Sequence, residues 1–215
     1  MKTVQEIYSE YKIMPNLQEH QLRVAEVAKI IAENFNGNLD VESIVTACLF
    51  HDMGNILKSD LARFPEFVEE KGIEYWQGVK DEFFQKYGPD EHVATQMIAK
   101  EVGLNAGAME CLNHIGFSNL GVNEKSDSFE NKICNYSDMR VGPHGIISFE
   151  ERLIDGQKRY ASSKHVVASE KFEELAQSGR MIENQIFRQS KIRPEEINDE
   201  KIKGLLEQLR NKEIN

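Results

Sequence analysis

Hydrophobic residues recur at helical spacing along almost the whole chain, and this periodicity is the feature that most limits the fold. In the segment 16–35, NLQEHQLRVAEVAKIIAENF, an apolar stripe runs through Val24, Val27 and Ile31. Residues three, four and seven apart share one face of an α-helix. Only five prolines interrupt the 215 residues, and no segment shows the convincing alternation of a strand. The sequence therefore predicts an all-α fold.

The helical pattern continues to the end of the chain without a flexible linker or an internal repeat. We expect a helical bundle over residues 1–160 and a helical C-terminal extension over residues 161–215. The extension has an apolar pattern through Phe172, Ile182 and Ile186 but no motif for chemistry. It either packs on the bundle or forms the contact of a homodimer, and we favour packing on the bundle.

Charge and cysteine content exclude several classes of function. The formal net charge is −10, whereas a general nucleic-acid binder or a binder of anionic membranes needs a basic face. No apolar run approaches the roughly 18 residues of a membrane span. The three cysteines are far apart and form no C-x-x-C pair, which argues against a disulfide framework and a zinc ribbon. We therefore expect a cytoplasmic protein that acts on a small molecule.

Six histidine and aspartate side chains fall on helix faces that also carry core residues. They are His20, His51, Asp52, His92, His114 and Asp138. One histidine on an apolar stripe is usually a hydrogen-bonded core residue, but burying this many groups without partners costs several kcal/mol for each charge. Neutral imidazole and carboxylate are ligands for divalent cations, so convergence on a metal removes that cost. The set predicts a metal centre.

The adjacent pair His51 and Asp52 stands at the end of the apolar helix in TACLFHDMGN. Consecutive helical residues point about 100° apart, and His51 continues the stripe of Ile44 and Ala47. Both side chains can therefore reach one cation at the inner end of the helix. One Asp52 oxygen then stays available for a second cation.

The order of these residues, His, His-Asp, His, His, Asp, resembles the HD-domain superfamily of metal-dependent phosphohydrolases. The signature of that family is a histidine, a His-Asp doublet and a distant aspartate on a bundle of about five helices. The match runs from about Asn16 to Arg159. Within it, GPDEHVATQMIAKEVGL, CLNHIGF and ICNYSDMRV are similar to small bacterial HD hydrolases that act on dinucleoside polyphosphates.

The resemblance implies a ligand set and a reaction. It assigns the first metal to His20, His51, Asp52 and Asp138. Asp52 would also take part in catalysis and bridge to a second metal held by His92 and His114. A metal-activated water would attack phosphorus, and the imidazole-rich set favours iron, manganese, cobalt, nickel or zinc before magnesium.

Substrate phosphates need fixed donors, for which arginine is the best suited side chain. Arg23 lies one turn after His20, and Arg140 follows Asp138 by two residues and is our first candidate for contact with the reacting group. A surface ion pair is the alternative for each arginine.

The chain departs from the family pattern after the doublet. The family often has His-Asp-x-Gly-Lys, whereas Asn55 takes the place of the lysine here. Lys58, one turn later, is a candidate substitute if it is not simply solvated. His144 follows Asp138 closely and is a candidate for the border of the pocket.

Three functions stay open at this point. The first is a phosphohydrolase that cleaves a phosphoester or phosphoanhydride bond of a nucleotide or another small phosphorylated metabolite. An HD-type di-iron oxygenase resembles the same six-ligand pattern, and mixed-valent iron with oxygen consumption would identify it. The third is a non-catalytic regulatory module that binds nucleotide, against which the complete ligand set argues.

Overall fold

The computed structural model describes residues 1–62, 65–68, 70–161, 169–202 and 204–214. The predicted all-α class is confirmed. The α-helices are α1 (Val4–Glu10), α2 (Pro15–Glu33), α3 (Val41–Phe50), α4 (Ile73–Tyr87), α5 (Glu91–Val102), α6 (Ala106–Asn113), α7 (Leu120–Lys125), α8 (Phe129–Asp138), α9 (Phe149–Ala161), α10 (Ser169–Phe187), α11 (Asp199–Ile202) and α12 (Leu206–Arg210). Short 3₁₀ helices cover Asn55–Lys58, Pro65–Phe67, Phe117–Asn119 and Pro194–Glu196.

Two antiparallel strand pairs accompany the helices. β1 (Lys2–Thr3) pairs with β4 (Glu213–Ile214), and β2 (Val141–Gly142) pairs with β3 (Gly145–Ile146). Each strand is two residues long, so it has no alternation of apolar and polar residues to reveal it in the sequence.

Helix α3 lies at the centre of the bundle. Every residue from Ser43 to Phe50 is buried, and the helix packs against α2, α6 and α8. A helix that is apolar on all faces needs neighbours on several sides, and this one has them. The Asp40 side chain accepts a hydrogen bond from the Ser43 N–H and so caps the start of the helix. His51 is the cap at its C-terminal end, which places the His-Asp pair just past the core.

The C-terminal extension packs on the bundle in the part of the chain that the structure describes; residues 162–168 fall outside that part. Helix α10 contacts α7 and α8, while α11 and α12 contact α2. The strand β4 then returns the chain to β1. The extension thus covers parts of α2, α7 and α8. None of the described helices is long and apolar enough to cross a membrane.

Candidate metal centre

Four of the six predicted ligands come together where α2, α3 and α8 meet. His20 lies in α2, His51 caps α3, Asp52 follows it, and Asp138 is the last residue of α8. Helix α2 packs against both α3 and α8. Three of the four side chains therefore stand at or just beyond helix ends, where the backbone leaves the core and a polar side chain can still reach solvent.

The four side chains are close enough to share one cation. His20 Nε2 lies 3.1 Å from Asp138 Oδ1 and 3.6 Å from Asp52 Oδ2. His51 Nε2 lies 3.5 Å from Asp138 Oδ1 and 3.6 Å from Asp52 Oδ1. One ligand atom each from His20, His51 and Asp52 lies within 4.8 Å of the others. Two imidazoles and two carboxylates in this arrangement are a typical donor set for a divalent metal.

The ring of His51 is oriented for a ligand. Its Nδ1 donates a hydrogen bond to the Cys48 carbonyl at 2.8 Å, so Nε2 is the nitrogen that faces the carboxylates. The side chain is 3% exposed, and Nε2 is buried without a hydrogen-bond partner among the described residues. A buried nitrogen without a partner costs free energy. A metal ion among the four side chains would remove that cost.

The electrostatics of the cluster also favour a cation. Burial lowers the pKa of His51, but the Asp52 and Asp138 carboxylates and the Cys48 carbonyl raise it more, to about 9. Burial raises the pKa of Asp138, but the hydrogen bond with His20 and the positive charge of the His20 and His51 imidazoles hold it well below its usual range. The carboxylates thus stabilise positive charge at His51 Nε2, and a proton or a metal ion can supply that charge.

The cluster is partly accessible to solvent. The side chains of His20, Asp52 and Asp138 keep 17%, 18% and 15% of their surface exposed, whereas His51 is closed off. A small ligand can therefore approach the three partly exposed side chains while the core holds the fourth.

Comparison with known proteins identifies a domain family in part of the chain. Residues 17–106 match the HD domain family model, and this stretch includes His20, His51 and Asp52. This part of the chain is an HD domain. HD domains are mostly metal-dependent hydrolases, and the cluster in this HD domain fits a divalent metal ion. No curated protein and no solved structure matches the chain.

His92 and His114 do not belong to the group of possible metal ligands that is found among the described residues. His92 is in the first turn of α5, its side chain is 70% exposed, and its Nε2 lies 3.6 Å from Glu91 Oε1. His114 caps α6 and donates from Nδ1 to the Glu110 carbonyl at 2.9 Å. Its Nε2 is thereby the ring nitrogen that could bind a metal, as at His51. A second metal on these two residues remains a prediction.

Arg140 has a structural role in place of the predicted contact with substrate. Its side chain is buried and donates to the carbonyls of Ile147, Pro194 and Ile197 and to the Tyr136 hydroxyl. Because its guanidinium is buried and bound to these groups of the chain, it fastens the turn after Asp138 to the C-terminal extension. The catalytic and substrate-binding roles predicted for Arg140 are corrected accordingly.

The remaining predicted substrate contacts are Arg23, Lys58 and His144. Arg23 Nε is 3.6 Å from Asp199 Oδ1, and Lys58 Nζ is 3.6 Å from Glu91 Oε1. Each cation thus lies near a carboxylate; Lys58 is half exposed, whereas the Nε of Arg23 is buried without a hydrogen-bond partner in the described part of the chain. His144 is exposed, with its ring centroid 6.1 Å from that of Phe67.

Two residues that the sequence did not single out support the His-Asp turn. Gln21 Oε1 accepts the Asp52 backbone N–H at 3.1 Å, and Thr95 Oγ1 accepts the Gly54 N–H at 2.9 Å. Both side chains are buried. The one signal in the sequence is a glutamine that directly follows His20 and opens the stretch of α2 that is largely buried.

Proposed function

We propose that the protein is a metal-dependent phosphohydrolase that cleaves a phosphoester or phosphoanhydride bond of a nucleotide or another small phosphorylated metabolite. The observation that carries this proposal is the four-residue cluster with the buried, unpartnered Nε2 of His51, in an HD domain. The negative net charge is consistent with a small phosphorylated ligand and argues against a nucleic-acid polymer.

His20, His51, Asp52 and Asp138 would hold the metal ion. Because imidazole contributes half of the donors, we expect iron, manganese, cobalt, nickel or zinc before magnesium. A bound ion of this kind acidifies a coordinated water and neutralises negative charge on phosphoryl oxygens. A second ion on His92 and His114 would require both side chains to approach Asp52.

The residues of the chain supply orientation and charge. The Cys48 carbonyl fixes the ring of His51, and the low pKa of Asp138 keeps its carboxylate ionised at neutral pH. Without a cation, the carboxylates of Asp52 and Asp138 would repel a phosphate, so a positive charge at this point is needed before an anionic substrate can bind. Arg23 and Lys58 are candidates for additional contacts with phosphate, on release from their carboxylate partners.

An assay of phosphate release tests the proposal. Mono-, di- and trinucleotides and dinucleoside polyphosphates would be incubated with the protein and Mn(II), Fe(II), Co(II) or Mg(II). The Asp52→Asn variant keeps the size of the side chain but loses the charge, and Asp81→Asn makes the same change at an exposed position on α4. We expect release by the parent protein and by Asp81→Asn, and a loss of at least about 100-fold in Asp52→Asn.

Other outcomes separate the competing functions. Equal release by Asp52→Asn would contradict the assignment of the site. Oxygen consumption with iron and without phosphate release would favour the di-iron oxygenase. Nucleotide binding without turnover, with metal bound, would favour the regulatory module.

A further inference from the structure

At the end of α3, the side chain of His51 uses a backbone acceptor that would otherwise be available to the Asp52 N–H. In an α-helix the N–H of a residue donates to the carbonyl four positions earlier, which for Asp52 is the carbonyl of Cys48. That carbonyl accepts the Nδ1–H of His51 at 2.8 Å instead. The imidazole has therefore taken the acceptor that a continuing helix would give to the Asp52 N–H.

Gln21 supplies the acceptor that Asp52 has lost. Its Oε1 lies 3.1 Å from the Asp52 backbone nitrogen, and its side chain is fully buried in α2. The Nε2 of the same amide is buried without a hydrogen-bond partner in the described part of the chain. Gln21 is thus held here as an acceptor, because its donor side makes no compensating bond.

We propose that Gln21 is a positioning residue of the metal centre, which accepts the Asp52 N–H and so leaves the Cys48 carbonyl to orient the ring of His51. This inference rests on the proposed metal-dependent function. Without Gln21, the Asp52 N–H and the His51 Nδ1–H compete for one carbonyl. The ring of His51 then loses its fixed orientation, and Nε2 no longer points steadily at Asp52 and Asp138.

The position of Gln21 adds a second effect. It follows His20 directly in α2, so one hydrogen bond fixes the helix that carries the first histidine against the turn that carries the doublet. A shift of α2 along α3 would therefore break that bond and, at the same time, separate His20 from Asp52.

Three variants test the role of the acceptor. Gln21→Met has a similar length but no oxygen, whereas Gln21→Glu keeps the oxygen. Gln18→Met makes the same change three residues earlier on α2, where the glutamine amide donates to the Ile13 carbonyl and is only partly buried. Binding of Co(II) would be measured by calorimetry and by the visible absorption of the bound ion.

We expect Gln21→Met to bind Co(II) about 10- to 100-fold more weakly, with a changed absorption spectrum. Gln21→Glu should bind as tightly as the parent protein or more tightly, and Gln18→Met should match the parent. Unchanged affinity in Gln21→Met, or an equal loss in Gln21→Met and Gln21→Glu, would overturn the proposal.

A measurement on the metal-free protein separates this inference from the proposed function. The Nδ1–H of His51, held by the Cys48 carbonyl, should give a slowly exchanging proton signal in the NMR spectrum of the ring nitrogens. We expect that signal to persist in Gln21→Glu and to be lost in Gln21→Met, and its persistence in both would overturn the role of Gln21. If the parent protein bound no Co(II), the metal function would fail, whereas the NMR comparison would still decide whether Gln21 positions His51.

Discussion

Gly54 lies where α5 comes closest to the His-Asp turn, and its replacement by alanine is a sensitive test of that packing. A Cβ at this position would lie 2.3 Å from the Glu91 carbonyl oxygen, 2.8 Å from Ala94 Cβ and 3.0 Å from the Thr95 nitrogen. The Gly54 N–H also donates to Thr95 Oγ1 at 2.9 Å. The backbone of α5 therefore packs directly on the turn that follows Asp52.

The loss of stability expected for Gly54→Ala depends on the atoms that the new Cβ would contact. Adding a methyl group to a well-packed core costs about 1–3 kcal/mol. Two of the three nearest atoms belong to the backbone, so no side-chain rotation can relieve the contact and α5 itself has to move. We expect Gly54→Ala to lower the free energy of unfolding by about 3 kcal/mol, at the upper end of that range.

Gly78→Ala is the matched control. Gly78 is exposed in α4, and a Cβ there would meet no atom within 4 Å. Alanine in place of glycine in a helix stabilises by about 0.5–1 kcal/mol. Urea unfolding of the two variants should thus show opposite changes in the free energy of unfolding, about 3–4 kcal/mol apart. Equal stability of Gly54→Ala and the parent protein would refute the close packing of α5 on the turn.

Three further changes have defined outcomes. Arg140→Lys should lower the free energy of unfolding by roughly 2–4 kcal/mol in urea, because the guanidinium holds three carbonyls and a hydroxyl; a variant with parent stability would contradict this. Both oxygens of Glu26 are buried without a hydrogen-bond partner in the described structure, and burial raises the pKa of this carboxyl group. The fold therefore favours the protonated form, and the free energy of unfolding of the parent protein falls as the pH rises through the pKa of Glu26. Glu26→Leu should therefore raise the free energy of unfolding in urea by about 1–3 kcal/mol at neutral pH, and by less as the pH falls towards 4.5. An equal gain at both pH values would exclude the ionised carboxylate as the cause. Metal binding has to displace the proton of His51, whose pKa is about 9. The affinity for Co(II), measured by calorimetry, should therefore fall by about tenfold for each pH unit below 9. An affinity that stays constant between pH 6.5 and 9 would contradict this expectation.

The fold class could be read from the sequence because the helical period survives in each long segment. The central position of α3 also follows from its run of apolar residues on all faces. The strand pair β1–β4 could not be foreseen, since it joins residues near the two ends of the sequence through two residues each. Local patterns carry no information about such a long-range pairing.

The candidate site could be predicted at the positions where a polar or ionisable side chain lies on a helix face that is buried in the core. His20, His51, Asp52 and Asp138 are polar groups on faces that enter the core, and the structure brings these four together. Arg140 shows the limit of this reasoning. It was chosen for its closeness in sequence to Asp138, but it lies in the turn after α8, where its guanidinium donates to backbone carbonyls distant in sequence.

Gln21 escaped prediction for a different reason. The sequence marks a buried polar residue there, but its partner is a backbone N–H that becomes available only because His51 has taken the Cys48 carbonyl. A hydrogen bond that depends on another hydrogen bond cannot be read from spacing or residue type. Such dependent contacts require the three-dimensional structure.

The separation of His20 and Asp138 in sequence has a consequence for kinetics. The two side chains are 3.1 Å apart although their positions in the chain differ by 118. We expect such a non-local contact to form late in folding, because α8 has to dock on α2 before the cluster exists. A bound metal ion should therefore leave the refolding rate almost unchanged and slow unfolding, so the ion would determine how long each folded molecule survives.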